Sequence, residues 1–369
     1  MQYHTVDMAI AKLTQLGSGA YLAKTDIKAA SRLKIFEEFS TALQWVAHNE
    51  RGVSNMLHIL DDFLFIDLSK EKSQASLNSF TQLCSQLGVP LAADKTEGPA
   101  QCLTFAGIEL DTLKMEARLP REKIVKYQAA ISDAAKKKKI TLRDLQSLIG
   151  CLNHCCYVIP TGRAFLRRLI ELTIGVKQPH HHIRFNKEVK ADLNTWDIFL
   201  ETFNGKAMFR DRVWEAPGVL HVYTDASQLH GYGAVLGNNW FNGRWPLSWA
   251  AHHITILELY PIFASIFTWH NKLANKRIIF FTDNFAIVHI LNSSSSKSPV
   301  IMQLVRRFVL QAMRRNILFK SEHIPGIYNN LADTLSRSRL QEFRQIAPSA
   351  QLHPCQIPPQ VLPMNLTIQ

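Results

Sequence analysis

The sequence predicts an α/β protein whose most regular block, residues 218–338, is a mixed five-stranded sheet with flanking helices. Three observations carry that prediction. Short apolar runs of strand length recur through the block, an almost wholly apolar helical segment interrupts them, and four acidic residues stand at element edges. The acids are Asp225, Glu258, Asp283 and Asp333, each flanked by apolar residues or placed where a strand or helix begins. Carboxylates seldom sit at such edges without a partner, because a desolvated charge is costly unless paired or metal-bound.

Within the block, strands are expected at 219–224, 231–236, 246–250, 277–282 and 317–322. Helices are expected at 255–269, at 285–291 and at 299–315, the last with Pro299 in its first turn, and a final helix carries Asp333. Residues 293–298 form a polar linker, and the Pro- and Gln-rich stretch 339–369 reads as a loose tail.

Residues 1–115 read as a separate mixed α/β unit. A helix over 7–16 is stopped by Gly17 and Gly19, and a strand over 20–27 follows, with Asp26 at its end. The stretch 35–48 is amphipathic, with Phe36, Phe39, Leu43 and Val46 on one side. Residues 53–66 suggest a hairpin with Asp61 and Asp62 at its turn, then come a helix over 72–87 and a short strand over 103–110 around Gly107. Residues 120 to about 205 are mostly helical: Pro120 opens one helix, and Thr141 with Asp144 makes a capping box for the next. Cys151, Cys155 and Cys156 lie there beside His154, but no second pair of zinc ligands accompanies them, so buried helix thiols are expected. Arg163, Arg167 and Arg168 suit either phosphate contact or a solvated face.

The 369 residues allow two or three domains. The formal charge of +12 suits a polyanionic partner, although it also serves solubility alone. Six scattered cysteines form no framework and argue for a reducing compartment. The first residues lack a secretory pattern and no apolar run is long enough to span a bilayer, so an intracellular protein without a membrane partner is expected. Nucleus and cytoplasm stay open.

If the first and fourth strands of the 218–338 block are parallel neighbours, Asp225 and Asp283 emerge at one sheet edge, where open α/β sheets carry their sites. Glu258 lies early in a helix that must pack on the sheet, and Asp333 early in the helix after the fifth strand. Four oxygen ligands from four elements suit a hard divalent cation such as Mg²⁺. Two such ions about 4 Å apart stabilise both the attacking and the leaving oxygen in phosphoryl transfer.

At these residues the chain resembles a known family. Tyr-Thr-Asp-Ala-Ser around Asp225, Leu-Glu-Leu around Glu258, Thr-Asp-Asn around Asp283, and His-Ile-Pro-Gly followed by Asn-Asn-Leu-Ala-Asp-Thr-Leu-Ser-Arg around Asp333 match in order and spacing. The block is similar to the ribonuclease H domain of retroelement polyproteins, most strongly those of the DIRS-like, tyrosine-recombinase class. The resemblance implies an endonuclease that cuts the RNA strand of an RNA–DNA hybrid, using two Mg²⁺ ions with Mn²⁺ as a substitute. It implies that Asp225 bridges both ions, that Asp333 helps hold the ion that activates water, and that Glu258 and Asp283 hold the other. Glu258 would also lie near the ribose 2′-hydroxyl. Arg306, Arg307, Arg314 and Arg315, on one long helix, would line the hybrid's backbone or else be solvated helix termini. His323 falls at a strand end rather than in the loop where cellular relatives carry a mobile histidine, so it takes no helper role here.

The front of the chain resembles the reverse transcriptase of the same family. Leu22-Ala23-Lys24-Thr25-Asp26-Ile27-Lys28 looks like the first metal-binding motif of a palm, and Ile59-Leu60-Asp61-Asp62 like its catalytic hairpin. Residues 1–115 would be a partial palm and 116–217 the thumb and connection. Only thirty-four residues separate Asp26 from Asp61, too few for the segment that cradles the incoming nucleotide. Metal ligands without substrate positioning forfeit most of catalysis. Asp26, Asp61 and Asp62 are therefore expected to be a vestigial site without templated polymerisation. The alternative to the nuclease is a non-catalytic nucleic-acid-binding or interaction protein that keeps a decayed version of this fold.

Overall fold

The structure is a computed structural model describing residues 5–28, 33–202, 207–208, 214, 218–249 and 251–366; at 33–36, 202, 207 and 208 it describes the backbone alone. Two compact units form: Met1–Tyr127 with Asn204–Val213, and Gln128–Phe203 with Trp214–Gln369.

In the first unit, α1 (Val6–Leu16) precedes β1 (Tyr21–Asp26), and α2 (Leu33–Arg51) leads into β2 (Met56–Ile59) and β3 (Asp62–Asp67). Then come α3 (Lys70–Gln86), β4 (Glu97–Ala100), β5 (Cys102–Phe105), β6 (Ile108–Asp111) and β7 (Glu116–Arg118). One sheet has the order β2-β3-β1-β4. Its apolar face packs Phe63 and Phe65 against Phe80 of α3, each ring fully buried, and such burial contributes roughly 1.5–3 kcal/mol per side chain. A second small sheet holds β5, β6, β7 and β10 (Ala207–Met208). The single strand expected over 103–110 is instead a hairpin: Phe105 pairs with Ile108 across a turn at Ala106-Gly107. Expectations at residues 29–32, at the Phe36 side chain and at Ala250 fall outside what is described.

Helix α4 (Arg121–Lys136) follows, and the second unit takes up the chain from Gln128. There β8 (Lys139–Thr141) pairs with β9 (His182–Arg184) beside α5 (Leu142–Cys155), α6 (Arg167–Glu171) and α7 (Lys187–Thr202). Thr141 caps α5 as its sequence predicts, accepting from the Asp144 amide at 3.2 Å. Cys155 and Cys156 are buried thiols, and desolvation pushes Cys156 up to about 12.

The second unit continues with β11 (Leu220–Ser227), β12 (Gly231–Leu236), β13 (Asn239–Arg244), α8 (Ile254–Thr268), α9 (His270–Leu273) and β14 (Arg277–Thr282). It ends with α10 (Phe285–Ser293), α11 (Pro299–Arg314), β15 (Leu318–His323), α12 (Asn330–Ser336) and α13 (Leu340–Ile346). The five-stranded sheet has the order β13-β12-β11-β14-β15, with β11, β14 and β15 parallel and the other pairs antiparallel. It is the mixed, helix-flanked α/β sheet that the sequence predicts, with one strand misplaced. The third strand is 239–244, whereas 247–249 form a turn. The loose tail also needs correction. Phe343 of α13 is fully buried against Trp240, the Trp240 indole donates to the Gln351 carbonyl at 2.7 Å, and Tyr260 of α8 donates to the Val361 carbonyl at 3.0 Å. Apolar anchors spaced along a polar stretch are enough to dock it.

Candidate metal centre

Parallel pairing of β11 with β14 sets Tyr223 beside Phe281, so both strands deliver their next acid, Asp225 and Asp283, to the same sheet edge. Helix α8 crosses that edge. His253 caps it, its ring accepting from the Thr255 amide at 3.2 Å, and the helix buries nearly every residue from Ile256 to Ile266. Glu258 is buried among these apolar neighbours at 6% exposure. Asp225, Glu258 and Asp283 each offer an oxygen, and the three oxygens lie within 4.8 Å of one another.

The electrostatics of the trio are those of a cation site. Burial, reinforced by Asp225 and Asp283, pushes the Glu258 carboxyl up to about 9, against a hydrogen bond from the Ala226 backbone. Burial likewise raises Asp225 to about 6, opposed by a hydrogen bond from Ser336 and helped by the charges of Asp283 and Asp333. Glu258 Oε2 is buried and has no hydrogen-bond partner among the described residues. An orphaned buried carboxylate oxygen facing two more carboxylates is poorly served by protein alone and well served by a hard divalent cation. The donor set therefore fits the ion that its sequence implies.

Asp333 stands apart from the trio. It lies in the first turn of α12, where Arg337 Nε donates to Oδ1 at 2.6 Å and Arg339 donates to Oδ2. Three residues that sequence reasoning missed hold α12 against the sheet. Asn329 donates to the Thr224 carbonyl at 2.9 Å, next to Asp225. Ser336 donates from its hydroxyl to Asp225 Oδ2. Gly233 pairs with Asp225 on β12, and a Cβ there would come within 2.4 Å of the Leu335 Cβ, so only glycine lets α12 sit this low. The signal was in the Asn-Asn-Leu-Ala-Asp-Thr-Leu-Ser-Arg string, whose first residue and last two are polar and lie one turn from the acid.

The arginines of α11 do not act as a set. Arg306 is turned inward, its Nε 2.8 Å from Asp192 Oδ1 with a second bond to Glu188, and Asp192 is fully buried and shared with Arg168 at 2.9 Å. A guanidinium spent on a buried pair is not available to a nucleic-acid backbone, which corrects the expectation for Arg306. Arg307 lies over the Phe263 ring, 5.2 Å from its centroid. Arg314 and Arg315 are exposed at the helix end. His323 ends β15 and stacks on Phe285, with centroids 3.8 Å apart.

In the first unit, β1 and β3 bring Asp26 opposite Asp62, and Asp61 lies in the β2–β3 turn. Lys95 Nζ reaches Asp26 Oδ2 at 2.8 Å and feels the charge of Asp61 and Asp62. Burial raises Asp62 to about 6, against a 3.3 Å hydrogen bond from the Ala106 amide.

No protein-family model matches the chain, and no curated protein matches it. Solved structures do resemble it. A foamy viral protease–reverse transcriptase dRH in complex with double-stranded DNA is 13% identical, with 87% of this chain covered and a TM-score of 0.42. The foamy viral protease–reverse transcriptase with RNA/DNA hybrid is 13% identical (87% covered, TM-score 0.44), and that with double-stranded DNA is 14% identical (87% covered, TM-score 0.42). The chain spans 59% and 46% of the length of the first two of these and 71% of the third. At such identities and scores, function has to be read from the residues of this chain. Among the described residues no helix is long and apolar enough to cross a membrane.

Proposed function

We propose that residues 218–338 are a metal-dependent nuclease of the ribonuclease H type, cutting the RNA strand of RNA–DNA hybrids in a DIRS-like retroelement-derived protein. The observation that carries this reading is the convergence of Asp225, Glu258 and Asp283 within 4.8 Å around an unpartnered buried oxygen. Asp333 completes the acidic set. Two Mg²⁺ ions, or Mn²⁺ in their place, would supply Lewis-acid stabilisation of the attacking and leaving oxygens. Asp225, on the central strand β11, would help hold both ions, and Ser336 donates to its Oδ2. Glu258, which burial and its acidic neighbours push up to about 9, would hold the ion in its deprotonated form. Residues 1–115 and 116–217 are the remnant palm and the thumb and connection, without polymerase activity. The pairing of Asp26 with Lys95 supports that silence.

A second reading, a non-catalytic nucleic-acid-binding protein, draws on the arginine pairing of Asp333. Incubating the protein and Mg²⁺ with a labelled RNA–DNA hybrid separates the two. Cleavage is expected, and it disappears in Asp225→Asn. Absence of cleavage with both Mg²⁺ and Mn²⁺ selects the second reading. Primer extension on the same protein is expected to give no product.

A further inference from the structure

Two cationic side chains at the metal centre have no place in the chemistry above. Both oxygens of Asp333 are taken, one by Arg337 and one by Arg339. Arg337 also feels the charges of Asp225 and Asp283, so its guanidinium stands within the field of the trio. Arg339 divides its fork between Asp333 and Glu342, 3.0 Å away. These are half-exposed pairs, with the arginine side chains 50% and 45% exposed, unlike the Arg306 pair on fully buried Asp192. Exposed pairs of this kind are weakly held and readily exchanged.

We infer that Arg337 and Arg339 are backbone-phosphate ligands held in reserve by Asp333 and released when Asp333 turns to a divalent cation. This rests on the nuclease reading of the same site. A doubly charged ion on Asp333 weakens both pairs, since it competes for their oxygens and repels the two guanidiniums at that range. Released, both guanidiniums stand at the rim of a site where a phosphodiester must enter. Their planar forks match phosphate oxygens, which an ammonium group would meet only as a point charge. In the ion-free state the same arginines are neutralised, and a polyanion meets the acidic face that Asp225 and Asp283 form. Binding of nucleic acid is thereby coupled to loading of the metal centre.

The test is binding of a labelled RNA–DNA hybrid to the full chain, followed by fluorescence anisotropy across a salt series, in EDTA and in Ca²⁺. The readout is the slope of log Kd against log salt, which counts phosphates contacted, at roughly 0.9 per phosphate. Ca²⁺ is expected to steepen the wild-type slope by about 2, and Asp333→Ala to give that steeper slope already in EDTA. The double variant Arg337→Ala/Arg339→Ala loses the Ca²⁺-dependent steepening, while Arg337→Lys/Arg339→Lys keeps it, because the slope counts charges. Removing one negative charge alone would tighten Asp333→Ala without changing the number of phosphates contacted, so an unchanged slope in EDTA overturns the inference. Full steepening in the double alanine variant overturns it as well. Asp333→Asn, close in shape to the native residue, repeats the Asp333→Ala arm should the alanine variant not fold. The nuclease reading fails separately, by absence of cleavage of the same hybrid in both Mg²⁺ and Mn²⁺.

Discussion

Asp26 and Asp62 face one another across β1 and β3 much as Asp225 and Asp283 leave the neighbouring strands β11 and β14. Each cluster buries one carboxylate oxygen without a hydrogen-bond partner among the described residues, Asp26 Oδ1 in the first unit and Glu258 Oε2 in the second. Their charge environments part ways. In the first unit an ammonium group already sits on Asp26 and a backbone amide on Asp62. In the second, the influences on Glu258 are burial and two more carboxylates, relieved by one backbone hydrogen bond. One cluster thus has an ammonium group on Asp26, whereas in the other Asp225, Glu258 and Asp283 crowd one another and call for an external cation. Counting acids in a sequence does not separate these states; the neighbours do.

The largest effect expected from that difference is on cleavage. Asp225→Asn should lower hybrid cleavage in Mg²⁺ by about 10³-fold, or roughly 4 kcal/mol of barrier, since it removes a ligand from the metal that stabilises the reacting oxygens. Asp62→Asn should leave the rate within about twofold, as a substitution outside the chemistry. Equal losses in the two variants would break the comparison.

The next effect is on stability against pH. Both raised carboxyls of the second unit hold their proton more tightly folded than unfolded, where Glu and Asp titrate near their ordinary values of about 4.3 and 3.9. The stability this contributes is present below those values and is lost as pH rises, through about 6 for Asp225 and on to about 9 for Glu258. In EDTA the Tm should therefore fall between pH 5 and 9. Glu258→Gln should flatten the upper half of that fall, from pH 6 to 9, while leaving the lower half, to which Asp62 also contributes at about 6. Mg²⁺ should raise the wild-type Tm most at the alkaline end. A pH-independent Tm would mean that Glu258 is ionised without an ion.

Smaller again is the effect of packing. Gly233→Ala drives a methyl group into the Leu335 Cβ and the backbone of α12. It should destabilise the protein by roughly 1–3 kcal/mol in urea titration, the range of an overpacked core, and lower cleavage by displacing Ser336 and Asp333. Unchanged stability together with full activity would show that α12 does not depend on this close approach.

The parts of this site legible in the sequence were those written in period and edge position. The parallel placement of Asp225 and Asp283 follows from two apolar strands that end in acids, and Glu258 from an apolar helix interrupted by a single charge. Strand β13 was missed because Asn-Trp-Phe-Asn-Gly-Arg is poor strand composition. Its better signal is the turn before it, where Leu236 pairs with Asn239 across Gly237-Asn238 and Gly237 adopts positive φ. Docking of residues 340–366 was illegible for another reason. It depends on Phe343 and Val361 finding Trp240 and Tyr260, partners about a hundred residues away that no local pattern predicts. The inward turn of Arg306 is of the same kind, since Asp192 lies 114 positions away.

The finest test of the comparison asks whether Lys95 is a stand-in for a metal ion or only a structural partner of Asp26. Over half of the Lys95 side chain is exposed, so Lys95→Met should destabilise only slightly, well short of what a fully buried pair would lose. What it should gain is a cation requirement. With Asp225→Asn in the background to silence the second unit, Mn²⁺ at about five times its dissociation constant should return roughly 1 kcal/mol to the Lys95→Met protein. The same Mn²⁺ should leave the Lys95 protein in that background unshifted, because its ammonium group already occupies the carboxylate. If Mn²⁺ fails to stabilise the Lys95→Met variant, Asp26, Asp61 and Asp62 have lost the geometry of a metal site altogether. Capture of Asp26 by Lys95 would then be the consequence, and not the cause, of that loss.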